Sequence, residues 1–189
     1  MDPSLESRTD EELATAVARN NHDAFGVLMD RYQAKLLRYG RRFLPDPDRA
    51  EDAVAEAFLK AYENIKSFDA ARRFSPWLYR IAHNTFLDAL RRGRREPLAL
   101  DLDALVAHPS YERDTESEDD AREARELVER GLARLPERYR EVLVLYYLES
   151  LSYQEIADVL QVPLGTVGVR LARARAALKK GIGDRHHEP

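Results

Sequence analysis

The 189-residue sequence predicts an all-α fold made of two small helical domains. Three observations lead there. Apolar residues recur at spacings of three and four through most of the chain, and no run alternates apolar with polar residues between glycine turns. The helical stretches also fall into two groups around a strongly acidic segment that has no sustained period. No repeat of about 20 to 50 residues is visible. The expected division is residues 1–95, a linker at 96–120 and residues 121–183, since this length suits one ordinary domain or two small ones.

In chain order, Thr9 to Asn20 reads as a short helix with Leu13, Ala16 and Val17 on its apolar side, and Asn20-Asn21-His22-Asp23 supplies a turn. A longer helix starts at Ala24. Its inward positions are Phe25, Leu28, Met29, Tyr32, Leu36, Tyr39 and Phe43, until Pro45-Asp46-Pro47-Asp48 stops them. Arg49 to Ile65 forms an acidic helix with Val54, Phe58, Ala61 and Ile65 inward. Glu51, Asp52 and Glu56 are exposed on its early turns, where carboxylates favour the helix dipole. Ser67 to Phe74 is a loop. Ser75 with Pro76 then caps WLYRIAHNTFLDALRR, whose Leu78, Ile81, Ala82, Thr85 and Ala89 face the core and which ends near Gly93.

Beyond the acidic segment the helical pattern resumes from Ala121 through Leu127, Val128, Leu132 and Leu135, then after Pro136 through Tyr139, Val142, Leu143, Leu145 and Tyr146. These helices buttress a last pair. Ser152 and Glu155 have capping-box spacing ahead of a stripe of Ile156, Ala157 and Leu160. Gln161-Val162-Pro163 breaks that helix, and a second starts at Pro163-Leu164-Gly165-Thr166 with Val167, Leu171, Ala174 and Leu178 inward. A short helix, a tight turn and a cationic second helix match the helix-turn-helix description of duplex readers.

The net charge of −4 hides opposed blocks. Residues 70–95 hold seven Arg and one Asp, whereas residues 101–126 hold ten acids and three Arg. From Leu164 to Lys180 there is no acid, only Arg170, Arg173, Arg175, Lys179 and Lys180, each suited to displacing a counterion from phosphate. Val169, Ala172 and Ala176 lie opposite the core stripe, a small apolar face suited to thymine methyls. The first patch differs in kind. Phe68, Phe74, Trp77 and Tyr79 stand among Arg72, Arg73, Arg80, Arg91 and Arg92, a mixture suited to stacking and holding single strands. Asn84 and Asp88, one turn apart, offer polar edges to an extruded base. Trp77 equally suits a core anchor.

Several classes are excluded. With no cysteine there is no disulfide, thiolate metal site or thiol switch. No phosphate-cradling glycine loop, nucleophile elbow or HExxH occurs, so an enzyme is not expected, nor a cofactor or a metal, and His186-His187 receive no role. No leader and no window of about 20 apolar residues is present, which predicts a soluble cytoplasmic chain without membrane insertion.

Three segments, PDPDRAEDAVAEAFLKAYENI, FSPWLYRIAHNTFLDALRR and LPERYREVLVLYYLESLSYQEIADVLQVPLGTVGVRLARARAALKK, closely resemble in order and spacing the bacterial sigma factors of the extracytoplasmic-function (ECF) group. The resemblance covers nearly the whole chain and spans the second and fourth conserved regions with only a linker between. It implies that Glu51, Asp52, Glu56 and Phe58 dock on the β′ clamp helices of core RNA polymerase, whose β flap is a further contact. It implies that Arg72, Arg73, Phe74, Ser75, Trp77, Arg80, Asn84, Asp88, Arg91 and Arg92 open the promoter −10 element. Thr166, Val169, Arg170, Ala172, Arg173 and Arg175 would then read the −35 duplex. The acidic linker would thread toward the active-site and RNA-exit channel, and a separate anti-sigma factor would restrain the protein. One departure stands out, since family members often carry a basic residue and a serine where Gly168-Val169 occur. Arg170, Arg173 and Arg175 are therefore expected to bind phosphate, with modest −35 discrimination. Two other readings are a self-sufficient helix-turn-helix regulator and a helical module for an acidic protein. The first lacks a visible dimerisation helix or effector pocket, and the second does not require two separate cationic readers.

Overall fold

The computed structural model describes residues 3–95, 128, 130–132 and 134–183, and among them every regular element is helical. The chain divides into two compact units. The expected linker at 96–120, Leu127 and the His186-His187 tail lie outside the described residues.

The first unit contains α1 (Pro3–Glu6), α2 (Asp10–Ala18), α3 (Asp23–Gly40), α4 (Pro47–Asn64) and α5 (Phe74–Arg95), with a 3₁₀ turn at Ile65–Ser67. α1 was not expected; it buries Leu5. Thr9 starts α2 through a capping box, its hydroxyl accepting from the Glu12 amide at 3.2 Å while Glu12 accepts from the Thr9 amide at 2.9 Å. α4 begins two residues before the expected Arg49. Asp46 accepts from the amides of Asp48 and Arg49 and Pro47 takes the first turn, so the Pro-Asp-Pro-Asp run both stops α3 and starts α4.

Aromatic rings fill this core. Around Tyr39 stand Phe43 at 5.1 Å, Tyr79 at 5.5 Å and Phe86 at 5.8 Å, all buried. The α3 to α5 crossing is close, because a Cβ at Gly40 would stand 3.1 Å from the Phe86 ring. Met29, expected inside, is 37% exposed. Adjacent helical residues point about 100° apart, so Leu28 and Met29 cannot both face the core, and Leu28 takes it. Ile81 is likewise only half-buried.

His83 is buried, its Nδ1 hydrogen-bonded to the Tyr39 hydroxyl at 2.9 Å. Burial pushes the imidazole down to about 4. A lowered value means that the folded state favours the neutral ring. The resulting stability is present above the unfolded value near 6.5 and is lost as the pH falls toward 4, by about 3 kcal/mol. Urea midpoints measured between pH 7.5 and 4.5 should therefore fall steeply in the native chain and less so in His83→Gln. Equal slopes would disprove the assignment.

The second unit contains α6 (Glu137–Leu143), a π turn at Val144–Leu148, α7 (Tyr153–Leu160) and α8 (Leu164–Gly183), preceded by helical residues within 128–134. Arg140 closes that preceding segment by donating to the carbonyls of Leu132 at 2.9 Å and Leu135 at 3.1 Å. Leu132, Val142, Leu145, Ile156, Val167, Leu171 and Ala174 form the core. Val128, expected inside, is 42% exposed, and Tyr139 is half-exposed. α7 begins with the expected reciprocal cap: the Ser152 amide donates to Glu155 at 2.8 Å and the Glu155 amide to the Ser152 hydroxyl at 3.3 Å. It ends less on Pro163 than on Gln161, whose φ of 54° lies in the left-handed region and lets the Val162 amide return to the Ala157 carbonyl.

Candidate nucleic-acid interface

The loop before α5 is a compact turn in which the Asp69 carboxylate accepts from the Ala71 amide at 3.0 Å and the Asp69 carbonyl from the Arg72 amide at 2.9 Å. It presents Arg72 and Arg73 to solvent. Arg72 makes a distant ion pair with Asp69 at 3.8 Å. The aromatics behind them divide. Phe74 is 1% exposed, ringed by Tyr32, Phe68 and Trp77 at 5.4 to 5.7 Å, and Tyr79 is 2% exposed. Neither ring can receive a base, contrary to the stacking role expected for Phe74. Phe68 and Trp77 lie 5.4 Å apart and are half-buried, with Phe74 packed against both.

Ser75 is not the cap expected of it, since α5 already begins at Phe74 and the Ser75 hydroxyl bonds Tyr32. Along α5, Trp77, Arg80, Asn84, Asp88 and Arg91 fall on one stripe at spacings of three and four, all but Trp77 exposed. Arg91 pairs with Asp88 at 3.1 Å. Arg92 turns aside to Glu56 of α4 at 2.8 Å, and Lys60 pairs with the same carboxylate at 2.7 Å. The Lys60 hydrogen bond, then the Arg92 one, holds that carboxyl below its usual range.

On α4, Glu51 and Asp52 are exposed, but Phe58 is 4% exposed and meets Phe25 edge-on at 6.2 Å, so it cannot dock a partner directly. Its neighbour Leu59 is 58% exposed, in phase with Asp52 and Glu56. The adjacency of two large apolar residues was the signal, since only one of them can face inward.

On α8, Thr166 is half-exposed, Val169 is 51% exposed, and Ala172, Arg173 and Ala176 are exposed. Two expected phosphate ligands are otherwise engaged. Arg170 Nη1 stands 2.7 Å from Oε1 of the buried Glu141, and the Arg175 guanidinium lies over the Tyr146 and Tyr147 rings at 5.9 and 5.8 Å. Arg173 hydrogen-bonds the Tyr139 phenol, which Arg138 and then Arg173 hold below its usual range. Arg138, exposed on α6, therefore joins the cationic face, a contribution that only the packing of α6 beside α8 reveals. Glycine at 168 has no steric necessity, as a Cβ there would meet Tyr153 at an ordinary 3.7 Å.

The second unit also carries a groove of about 570 Å3 lined by Leu132, Leu143, Val144, Tyr147, Leu148 and Leu178, with Arg175 and Lys179 at its polar parts. Among the described residues no group of three His, Cys, Asp or Glu could hold a metal, and no helix is long and apolar enough to cross a membrane.

An arginine-amide stripe beside half-buried aromatics and, in a second unit, a helix-turn-helix define a two-module helical reader of nucleic acid. Residues 28–96 match Sigma-70 region 2, and residues 125–178 match Sigma-70, region 4. The chain is 38% identical over 178 residues to the ECF RNA polymerase sigma factor SigW of Bacillus subtilis, covering 89% of this chain and 94% of the relative. It is 37% identical over 185 residues to the ECF RNA polymerase sigma-E factor of Escherichia coli, covering 94% and 96%. Among solved structures it is similar to CnrH in complex with the cytosolic domain of CnrY, with a TM-score of 0.67 and 30% identity over 90% of this chain and 95% of that one. The fold also matches the sigma factor RpoE in complex with the anti-sigma factor NepR from Bartonella quintana, at a TM-score of 0.66 and 24% identity over 84% and 96%. The chain thus belongs to the ECF group of sigma-70 factors and is a promoter-specificity subunit of bacterial RNA polymerase.

Proposed function

We propose that the two units divide promoter recognition. Residues 1–95 open and read the −10 element, residues 121–183 read the −35 duplex, and the acidic 96–120 segment joins them on the polymerase. The observation that carries the reading is the α5 stripe from Trp77 to Arg91, lying beside the exposed Arg72 and Arg73. Extruding a base costs a few kcal/mol, and stacking on Phe68 or Trp77 with amide contacts from Asn84 offsets it. On α8, Val169 and Ala172 face thymine methyls while Arg173 and Arg138 hold phosphate.

Polymerase docking uses Glu51 and Asp52 with Leu59 on α4, and the β flap occupies the apolar groove beside Leu178. The catalysis belongs to the polymerase, in the cytoplasm. A partner that restrains the chain, an anti-sigma factor, is supported by the complexes in which similar sigma factors have been solved.

Transcription by core polymerase from a pooled promoter library, with and without the chain, tests the division. Transcripts that depend on two separated elements support it. Specific duplex binding by the chain alone, with no gain in initiation, refutes it. Arg173→Ala should weaken −35 binding similarly across sequences and lower the salt slope by about one, measured by anisotropy titrations at several salt concentrations; a loss confined to one base pair contradicts this.

A further inference from the structure

The first amide of α5 is capped from outside its own segment. A helix leaves its first four N–H groups without intrahelical partners, and Arg73, which precedes α5, has no acceptor side chain to offer. Instead Glu11 of α2 reaches across, its Oε1 accepting from the Phe74 amide at 2.9 Å. The adjoining residue of α2 completes the attachment. Asp10 pairs with Arg31 at 2.6 Å and accepts from the Tyr32 hydroxyl, Arg31 also donates to the Glu6 carbonyl at 2.6 Å, and the Ser75 hydroxyl bonds the Tyr32 oxygen. Burial first, and then the Asp10 carboxylate, push the Tyr32 phenol above its usual value, so it stays a hydrogen donor at any working pH. The Tyr32 ring lies edge-on to Phe74 at 5.7 Å. The start of α5 is therefore held by α1, α2 and α3 at the point where the chain leaves the loop bearing Arg72 and Arg73 and enters the turn bearing Trp77.

We infer that Glu11 is a positioning residue for the −10 surface: by capping Phe74 it sets where Arg72, Arg73 and Trp77 stand when a strand is opened. This rests on the proposed −10 role of that surface. Glu11 touches no DNA in this role, and its effect passes through the backbone of residues 73 to 77. The acceptor oxygen matters more than the charge, because glutamine keeps an Oε1 in the same place while methionine keeps the length without an acceptor.

The experiment uses holoenzyme assembled from core polymerase and the full chain carrying Glu11→Met or Glu11→Gln. It reads −10 opening by 2-aminopurine fluorescence, the base preference at the extruded position, core affinity by competition, and exchange protection of the Phe74 amide in the free chain. Glu11→Met should lower opening about fivefold, relax the base preference and expose the Phe74 amide while core affinity stays as it was, and Glu11→Gln should recover most of the opening. Opening unchanged in Glu11→Met, or opening and core affinity falling in step in both variants, overturns the inference. Arg72→Ala with Arg73→Ala is the separate arm. If that pair opens the promoter normally, the −10 reading itself fails; if it does not, a normal Glu11→Met counts against the positioning role alone.

Discussion

Arg170→Ala lowers the stability of the second unit by up to about 3 kcal/mol at pH 8 and above, and its main effect is on folding rather than on DNA affinity. The reason is its partner. Glu141 is 9% exposed at the side chain and Arg170 24%, with the two charges 2.7 Å apart, so removing the guanidinium withdraws a close positive charge from an acid in the core between α6 and α8, which must then stay protonated or be desolvated as an ion. Burial pushes Glu141 up to about 7, while Arg170 pulls it back and Glu137 adds to the rise. An acid whose folded value is raised contributes stability that is fully present below its unfolded value and is lost as the pH climbs through about 7. The penalty of Arg170→Ala therefore grows from pH 5 to pH 8, and adding Glu141→Gln recovers part of it. Urea unfolding with hydrogen exchange on α6 and α8 reads the loss directly. Should Arg170→Ala keep native stability and instead lower the salt slope of −35 binding by about one, Arg170 is a phosphate ligand after all.

Phe74→Ala costs the first unit about 4 kcal/mol, within the range for deleting a buried phenyl ring. Its side chain is 1% exposed and touches the rings of Tyr32, Phe68 and Trp77, so truncation leaves a cavity beneath both candidate stacking platforms. The thermal midpoint should drop by well over ten degrees, at about 4 to 8 °C per kcal/mol for a unit of this size. Trp77→Ala, at a half-buried position, should cost less stability and proportionately more −10 opening. A Phe74→Ala chain of native stability that has lost single-strand affinity would restore the stacking role to Phe74.

Where the sequence was legible, the cause lay within a few residues. The capping boxes at Thr9 and Ser152 depend on a partner three positions away, and both form. The inward stripe of α8 follows from helical period, and Val167, Leu171 and Ala174 are fully buried. The Pro-Asp-Pro-Asp run is equally local, but proline suits the first turn of a helix as well as its end, so the run reads as a stop without revealing that it is also a start.

Errors gather where period permits two answers. Leu28 and Met29 are adjacent large apolar residues, and only the angle at which a second helix arrives selects the inward one; for Phe58 period already gives the inward face, and the docking role came from the resemblance alone. Arginine is the harder case, because its long stem lets the charge choose among several targets. Arg170 and Arg173 look alike in sequence. Arg170 meets Glu141, 29 residues earlier, while Arg173 stays exposed beside Tyr139.

From the sequence alone came the helical class, the two-part layout, the helix-turn-helix and the family, because period, capping and motif spacing are properties of contiguous chain. Which aromatics are core and which can receive a base, which arginines are available to phosphate, and that Glu11 caps a helix 63 residues away were decided only in the folded molecule. Burial and ion pairing are settled by groups that sequence separates and packing brings within 3 Å, where desolvation makes an unpaired charge too costly to keep.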